Sequence, residues 1–253
     1  MILRRLGNKQ AIAQDIIKYF PEHKIYVEPF FGAGGMFFQK RKAKYNIVND
    51  YDNDVFNLFN VVMHRKDDFV NAFVKMPVHE GLLKHWKQNK ETDEIMKALR
   101  FIFLSNFTYM GAGASMCFGT ENPKGIILKN LDATQKHLEN VQFANRDFRS
   151  FFEQLRERNS EDTFVYCDPP YLGTDDNYET SFTVQDANDL FDCLTESKCK
   201  FAYSEFDHPF ILEQAEKRGL NVIVIGERQN LKNRRTEILV TNYKKPLSLF
   251  DGV

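Results

Sequence analysis

Ile25-Tyr26-Val27, followed by Glu28-Pro29-Phe30-Phe31-Gly32-Ala33-Gly34-Gly35 and then Met36-Phe37-Phe38, reads as a buried strand, a glycine turn and the opening of a helix. Glycine reaches positive φ without steric cost and lets other groups approach the backbone, so such a turn can floor a ligand site. A helix N-terminus behind it would favour anionic groups. A tight turn with no ligand has the same pattern, so the stretch speaks for the fold before it speaks for function. It is not G-x-x-x-x-G-K-S/T, and an ATPase phosphate cradle is not indicated.

Upstream of this stretch, Ala13, Ile16, Ile17 and Phe20 fall at helical spacing, which predicts a helix over roughly 10–20 that stops at Pro21. Downstream, Tyr45-Asn46-Ile47-Val48-Asn49 is a second strand ending at Asp50, and Val55, Leu58, Phe59 and Val62 form a helical stripe. This β-α-β-α series calls for a parallel sheet with helices on its faces, an α/β fold. The alternation returns after residue 140. Val141-Gln142-Phe143, Thr163 to Cys167, Lys200 to Tyr203 and Asn221 to Ile225 read as strands, with a helix marked by Ala187, Leu190, Phe191 and Leu194. The run from Glu237 to Tyr243 follows a polar, basic stretch and no helix, which predicts a final antiparallel hairpin at the sheet edge. Residues 63–140 lack the alternation. They hold helical segments, clearest around Ile95, Leu99, Ile102 and Phe103, and two glycine-rich turn clusters. The chain is therefore expected to divide into an α/β domain, residues 1–62 and 141–253, and an inserted, mostly helical subdomain, 63–140.

Composition narrows the function classes. A chain of 253 residues that is 43% hydrophobic and 27% charged is globular rather than disordered or disulfide-stapled. No apolar run approaches the ~18–20 residues that cross a bilayer. Met1 to Gly7 lacks a signal-peptide pattern, so no membrane association is expected. Cys117, Cys167, Cys193 and Cys199 include no C-x-x-C pair and read as reduced thiols of a cytoplasmic protein. The net charge of −1 argues against a uniformly basic nucleic-acid binder but leaves room for a basic groove. No two histidines have H-x-x-x-H spacing, and no G-x-S-x-G occurs, so neither a metal centre nor a hydrolase elbow is expected.

Two further sites carry chemistry. Asp50 closes a strand about 20 residues past the glycine turn, where dinucleotide folds grip a ribose. Asp52 and Asp54 read instead as helix-start acids. Asp168-Pro169-Pro170-Tyr171 follows a strand. Its prolines cannot continue a ladder and hold the backbone extended, which presents the Pro169 carbonyl beside the Asp168 carboxylate. Two acceptors next to an aromatic ring suit a planar group bearing an exocyclic amine.

In order and spacing these motifs resemble the Dam-like DNA adenine-N6 methyltransferases of the D12 class, α group, especially their phage and mobile-element members. The resemblance spans nearly the whole chain. Arg5-Leu6-Gly7-Asn8-Lys9 is similar to the family's G-G-K box, Tyr26 to Gly34 to its F-x-G-x-G motif, and Asn49-Asp50 to its second motif. Asn145-Arg146-Asp147-Phe148 resembles the segment lining the cofactor adenine. Asp168 to Tyr171 is similar to the catalytic D-P-P-Y, and Thr236 to Tyr243 to the closing E-x-x-x-T-N-Y strand. Asn8 stands where the box has its second glycine. Glu28 stands where some relatives have Asp. Asn106 to Gly113 lacks the basic residue of GATC readers.

The resemblance implies a class I, Rossmann-like methyltransferase sheet, S-adenosyl-L-methionine as cofactor, double-stranded DNA as substrate and a flipped-out adenine as acceptor. A cognate restriction endonuclease is a partner the class allows. It places Arg5, Gly7, Lys9, Glu28, Phe30, Gly32, Gly34, Asp50, Asp147, Phe148 and Asp168 at the cofactor. It makes Asp168, Pro169, Pro170 and Tyr171 catalytic, with Tyr171 stacking on the flipped base. Cytosine-N4 methylation and a catalytically silent nucleic-acid binder remain as alternatives at this level. Residues 63–140 carry 11 basic against 9 acidic side chains, so the insert is only mildly basic. Within it Asn106, Thr108 and Tyr109 are expected to reach bases, while Arg234 and Arg235 near the hairpin are expected to hold phosphates.

Overall fold

In the computed structural model, strands β1 (Ile25–Glu28), β2 (Tyr45–Asn49), β3 (Val141–Ala144), β4 (Thr163–Cys167), β5 (Lys200–Phe206), β6 (Asn221–Gln229) and β7 (Arg234–Thr241) form one sheet. Their order is β3-β2-β1-β4-β5-β7-β6. The structure describes residues 2–5, 7–119, 121–155, 160–173, 182–229 and 234–244. All pairings among β1 to β5 are parallel; β7 runs antiparallel between β5 and β6, so the expected hairpin forms and β6 takes the edge. Chain order reverses at β1, which lies between β2 and β4, and open α/β sheets bind ligands beyond the carboxyl ends of strands at such a point.

Strand alternation sends side chains to two cores. Tyr26, Val48, Phe164, Tyr166, Ala202 and Leu239 join one cluster, and Val27, Ile47, Val165, Cys167, Tyr203 and Val240 the other. The first face is covered by α1 (Ala13–Ile17), α2 (Asn53–His64), α3 (Lys66–Lys75), α4 (Glu80–Gln88), α5 (Glu94–Phe107) and α6 (Pro123–Leu138). The second is covered by α7 (Phe148–Leu155), α8 (Val184–Glu196) and α9 (Pro209–Lys217). Phe69, Phe73, Trp86 and Phe103, from within 63–140, belong to the same cluster as Tyr26 and Phe164. The helices of that segment thus extend the sheet's own core. Each of these large rings, being nearly or fully buried, contributes about 1.5–3 kcal/mol relative to exposure.

Local chemistry sets the helix starts. The side chains of Asp52, Asp93 and Asn122 accept from Asp54, Met96 and Gly125 backbone N–H groups at α2, α5 and α6, and Thr183 with Asp186 forms a capping box at α8. Such caps are worth ~1 kcal/mol each. Two expectations are corrected. The helix expected over roughly 10–20 is a 3-10 turn, Lys9–Ile12, followed by the five-residue α1. No helix opens at Met36-Phe37-Phe38: the chain winds through turns, with Phe38 N–H donating to Gly34 and Lys40 N–H to Met36. Gly34 and Gly35 are poor helix formers, and Met36 and Phe37 are both taken into the core, which breaks one-sided helical packing.

Candidate active site

Gly32 and Gly34 adopt φ of +53° and +69°. A Cβ on Gly34 would press within 2.8 Å of the Phe31 and Phe38 rings, whereas one on Gly32 would meet nothing within 4 Å, so the turn opens to space at Gly32. Gly35 has a different reason: a Cβ there would lie 1.8 Å from Asn8 Oδ1. The N-terminal segment is laid directly on the turn. Asn8 uses that oxygen to accept from Gln10 N–H and cap the 3-10 turn. Gly7 bends the segment at φ +82°, and Arg5 reaches Asp52 at 2.7 Å.

Asp50 closes β2 beside this turn. Gly32 N–H donates to Asp50 Oδ2 at 2.6 Å and Asp52 N–H to Oδ1 at 2.9 Å. Burial pushes the Asp50 carboxyl up to about 6, with Arg5 and these two N–H groups opposing the rise. Asn49, next to it in the same motif, had no role assigned from sequence. Its amide donates to the Pro29 and Arg146 carbonyls and accepts from Arg146 N–H, tying together the loops after β1, β2 and β3. Beyond β3, Asp147 accepts from Arg149 N–H at the start of α7 and pairs with the Arg149 guanidinium at 3.3 Å. Arg149 also lies 4.3 Å over the Phe148 ring and bonds Asp186 and Asp189 of α8. Phe148 and Phe30 meet at 5.6 Å, and Phe182 stands 6.1 Å from each. Phe182 was not singled out from sequence.

Asp168-Pro169-Pro170-Tyr171 leaves β4 at the centre of the same edge. Lys9, 3% exposed, places Nζ 2.8 Å from Asp168 Oδ1, 3.5 Å from Glu237 Oε1 and 4.3 Å from the centre of the Tyr171 ring. The Tyr171 hydroxyl donates to Glu237 Oε1 at 2.5 Å, and its ring meets Phe206 edge-on at 4.7 Å. Two more buried acids flank the group. Glu28 accepts from the Tyr26 hydroxyl at 2.7 Å; Glu205 accepts from Phe206 and Leu172 N–H groups. Burial pushes both up to about 8, and the nearby Asp168 charge adds to each rise. Glu205 lies in no motif quoted from the sequence, and Glu237 entered only as the acid of the closing E-x-x-x-T-N-Y strand, with no role of its own. The available signal was an acid set inside an apolar strand.

Sequence-chosen DNA contacts are placed unevenly. Asn106 is buried, its amide donating to Ile2 and Ile102 carbonyls and to Ser105 Oγ. Thr108 is buried too, its hydroxyl bonding Leu104 O and accepting from Gly113 N–H. Tyr109 is 61% exposed at the tip of the loop that a Thr108–Met116 bridge closes, and Phe118, 76% exposed, follows it. Arg235 directs Nη1 to the Leu172 carbonyl at 3.5 Å and lies over Phe206, which ties it to the loop after the D-P-P-Y segment. Arg234 opens β7, but its side chain lies outside the described residues. Among the described residues no group of three or more His, Cys, Asp and Glu could hold a metal, and no helix is long and apolar enough to cross a membrane.

A sheet of this strand order, with a glycine turn after β1, an acid after β2 and D-P-P-Y after β4, defines a class I, Rossmann-like methyltransferase. The chain belongs to the D12 class N6 adenine-specific DNA methyltransferases, whose family model matches residues 6–234. It is an adenine-specific DNA methyltransferase, and S-adenosyl-L-methionine is the cofactor its family implies. Cytosine-N4 transfer is thereby set aside. Relatives include the DNA adenine methylase of Escherichia coli K12, 27% identical over 88% of this chain and 86% of that one. The DNA adenine methylase of Vibrio cholerae is 25% identical over 88% and 79%. The type II methyltransferase M.MjaIII of Methanocaldococcus jannaschii is 28% identical over 74% of each. Among solved structures, Trm5b from Pyrococcus abyssi overlays with a TM-score of 0.38 at 13% identity, covering 95% of this chain and half of that one.

Proposed function

We propose that the edge formed by β1, β2 and β4 binds S-adenosyl-L-methionine and presents Asp168 and the Pro169 carbonyl to the amino group of an adenine turned out of duplex DNA. The observation that carries this reading is the Asp168 carboxylate, held by a buried lysine 2.8 Å away beside a glycine turn that opens at Gly32. The donor set suits the cofactor. Asp50 can accept from ribose hydroxyls, Phe30 and Phe148 offer ring faces to an adenine, and Glu28 and Asp168 offer acceptors to an ammonium. When bound, the cofactor supplies a methyl group already activated on a sulfonium.

The remaining difficulty is the nucleophile, because the adenine amino lone pair is delocalised into its ring. Accepting its N–H bonds at Asp168 and Pro169 draws the nitrogen towards sp³ and aims the lone pair. Pro170 keeps that backbone extended, and the Tyr171 ring walls the base. This is positioning with electrostatic stabilisation. The target nitrogen is inaccessible inside a duplex, so the base must leave the stack.

Residues 63–140 serve as the target-recognition part and the remainder as the catalytic part, with Tyr109 and Phe118 facing bases. Asn106 and Thr108 shape that loop from inside, while Arg234 and Arg235 serve the phosphate backbone. A DNA substrate and four free thiols support action in the cytoplasm. Transfer of labelled methyl from the cofactor to DNA tests the core of the reading. Asp168→Ala should abolish it while DNA retention on a gel persists; transfer at the wild-type rate would overturn it.

A further inference from the structure

Glu237 is an acid within an apolar strand, 1% exposed, and the transfer step described above does not use it. Along β7, Ile238 and Val240 enter the core under α7 to α9, whereas Leu239 enters the opposite one. Glu237 shares the parity of Leu239 and so faces the side on which the N-terminal segment lies. It pairs in register with Phe206 of β5 and Gly226 of β6, where β6 is bulged between Val224 and Gly226. Bulges re-aim neighbouring side chains.

Three donors converge on one oxygen of Glu237. The Tyr171 hydroxyl lies at 2.5 Å, the Ser204 hydroxyl at 2.8 Å and Lys9 Nζ at 3.5 Å. Lys9 spans from this carboxylate to Asp168 and covers the Tyr171 ring. A carboxylate this far from water is costly unless paired and hydrogen-bonded, and an aliphatic residue like its strand neighbours would hold β7 at lower cost. What an aliphatic residue could not do is fix an ammonium and a phenol at once.

We propose that Glu237 is a positioning residue of the methyl-transfer site. It holds Lys9 and Tyr171 as one unit, and through Lys9 it sets the orientation of the Asp168 carboxylate. The proposal rests on the assignment of Asp168 as the acceptor of the adenine amino group.

Glu237→Gln keeps the volume and removes the charge. Its kcat should fall about 100-fold, the scale of a misplacement near 1 Å at a reacting centre. KM for DNA, and cofactor affinity by calorimetry on the DNA-free protein, should stay within about 3-fold, because Glu237 is buried and bonded to Tyr171, Ser204 and Lys9. Glu237→Asp, which restores the charge, should recover part of the loss. Tyr171→Phe added to Glu237→Gln should cost little more than Glu237→Gln alone, since both act through one contact. A folded Glu237→Gln enzyme with wild-type kcat, or losses that simply multiply in the double variant, would overturn the proposal. Asp168→Ala run alongside separates the two readings. If it stays active, the acceptor assignment falls and this inference with it; if it is dead while Glu237→Gln is fully active, only the role of Glu237 falls. Should Glu237→Gln not fold, Ser204→Ala withdraws one donor from the same oxygen. A several-fold lower kcat at unchanged KM is expected there, and wild-type kcat would overturn the proposal.

Discussion

Asp50 and Tyr171 carry more than the roles their motifs suggest. Asp50 already accepts Gly32 and Asp52 N–H groups, so the proposed ribose ligand also ties the glycine turn to β2. Asp50→Ala should weaken cofactor binding by about 1.5–3 kcal/mol, the size of a lost hydrogen bond to a charged group, as read by calorimetry. Its carboxyl is pushed up to about 6, and the ionised form is the better acceptor for two hydroxyls. Cofactor affinity should therefore climb from pH 5 to 7.5 in the wild type and stay nearly flat in Asp50→Asn. For Tyr171, the hydroxyl bond to Glu237 gives the phenol a task that stacking alone would not. Tyr171→Phe should keep the wall but lose the anchor, giving a kcat between wild type and Tyr171→Ala. Equal rates for Phe and Tyr would show that the bond is idle during turnover.

Among elements, the loop after α5 separates two kinds of residue that looked alike in sequence. Asn106 and Thr108 spend their side chains on backbone groups of α5, the N-terminal segment and the loop, while Tyr109 and Phe118 stand out from it. Asn106→Ala should lower the melting temperature, because it strips partners from buried carbonyls at a cost of about 1–3 kcal/mol. Tyr109→Ala and Phe118→Ala should leave melting unchanged and relax which sites are methylated, as read by base-resolution methylation sequencing at matched salt. Unaltered site choice in both would remove this loop from recognition. β1, β2 and β4 were legible almost residue for residue, because buried parallel strands are short apolar runs that end in turn chemistry. α7 carries an equally clear signal, Phe148, Phe151, Phe152 and Leu155 at helical spacing, although only its first residue figured among the sequence expectations, as a cofactor contact.

Over the whole molecule, the sheet's carboxyl edge gathers more buried acid than a stability-optimised core would hold. An unfolded glutamate titrates near 4.5, whereas burial raises Glu28 and Glu205 to about 8. The folded state then binds more protons between these values, so the contribution of these groups to stability is lost as pH rises from about 5 to 8. Cofactor-free Glu205→Gln should melt higher than wild type at pH 8 and close to it at pH 4.5, with each kcal/mol relieved appearing as ~2–4 °C in a chain of this size. A melting difference that ignores pH would mean that Glu205 is not neutralised by burial. The amino-acid order was enough for the α/β class, for β1, β2 and β4, for the edge hairpin, and for the position of Asp50 and of the D-P-P-Y segment just past strand ends. Those features are written in local periodicity, in turn residues and in a short motif. Tertiary contact alone decided that Lys9 reaches Asp168 and that Glu237, 66 positions beyond Tyr171, accepts its hydroxyl. It also decided that Asn106 turns inward and that the helices of 63–140 share the sheet's core. Such partners are far apart in the chain, and which of them meet depends on how strands are ordered and faces packed, which no local pattern encodes.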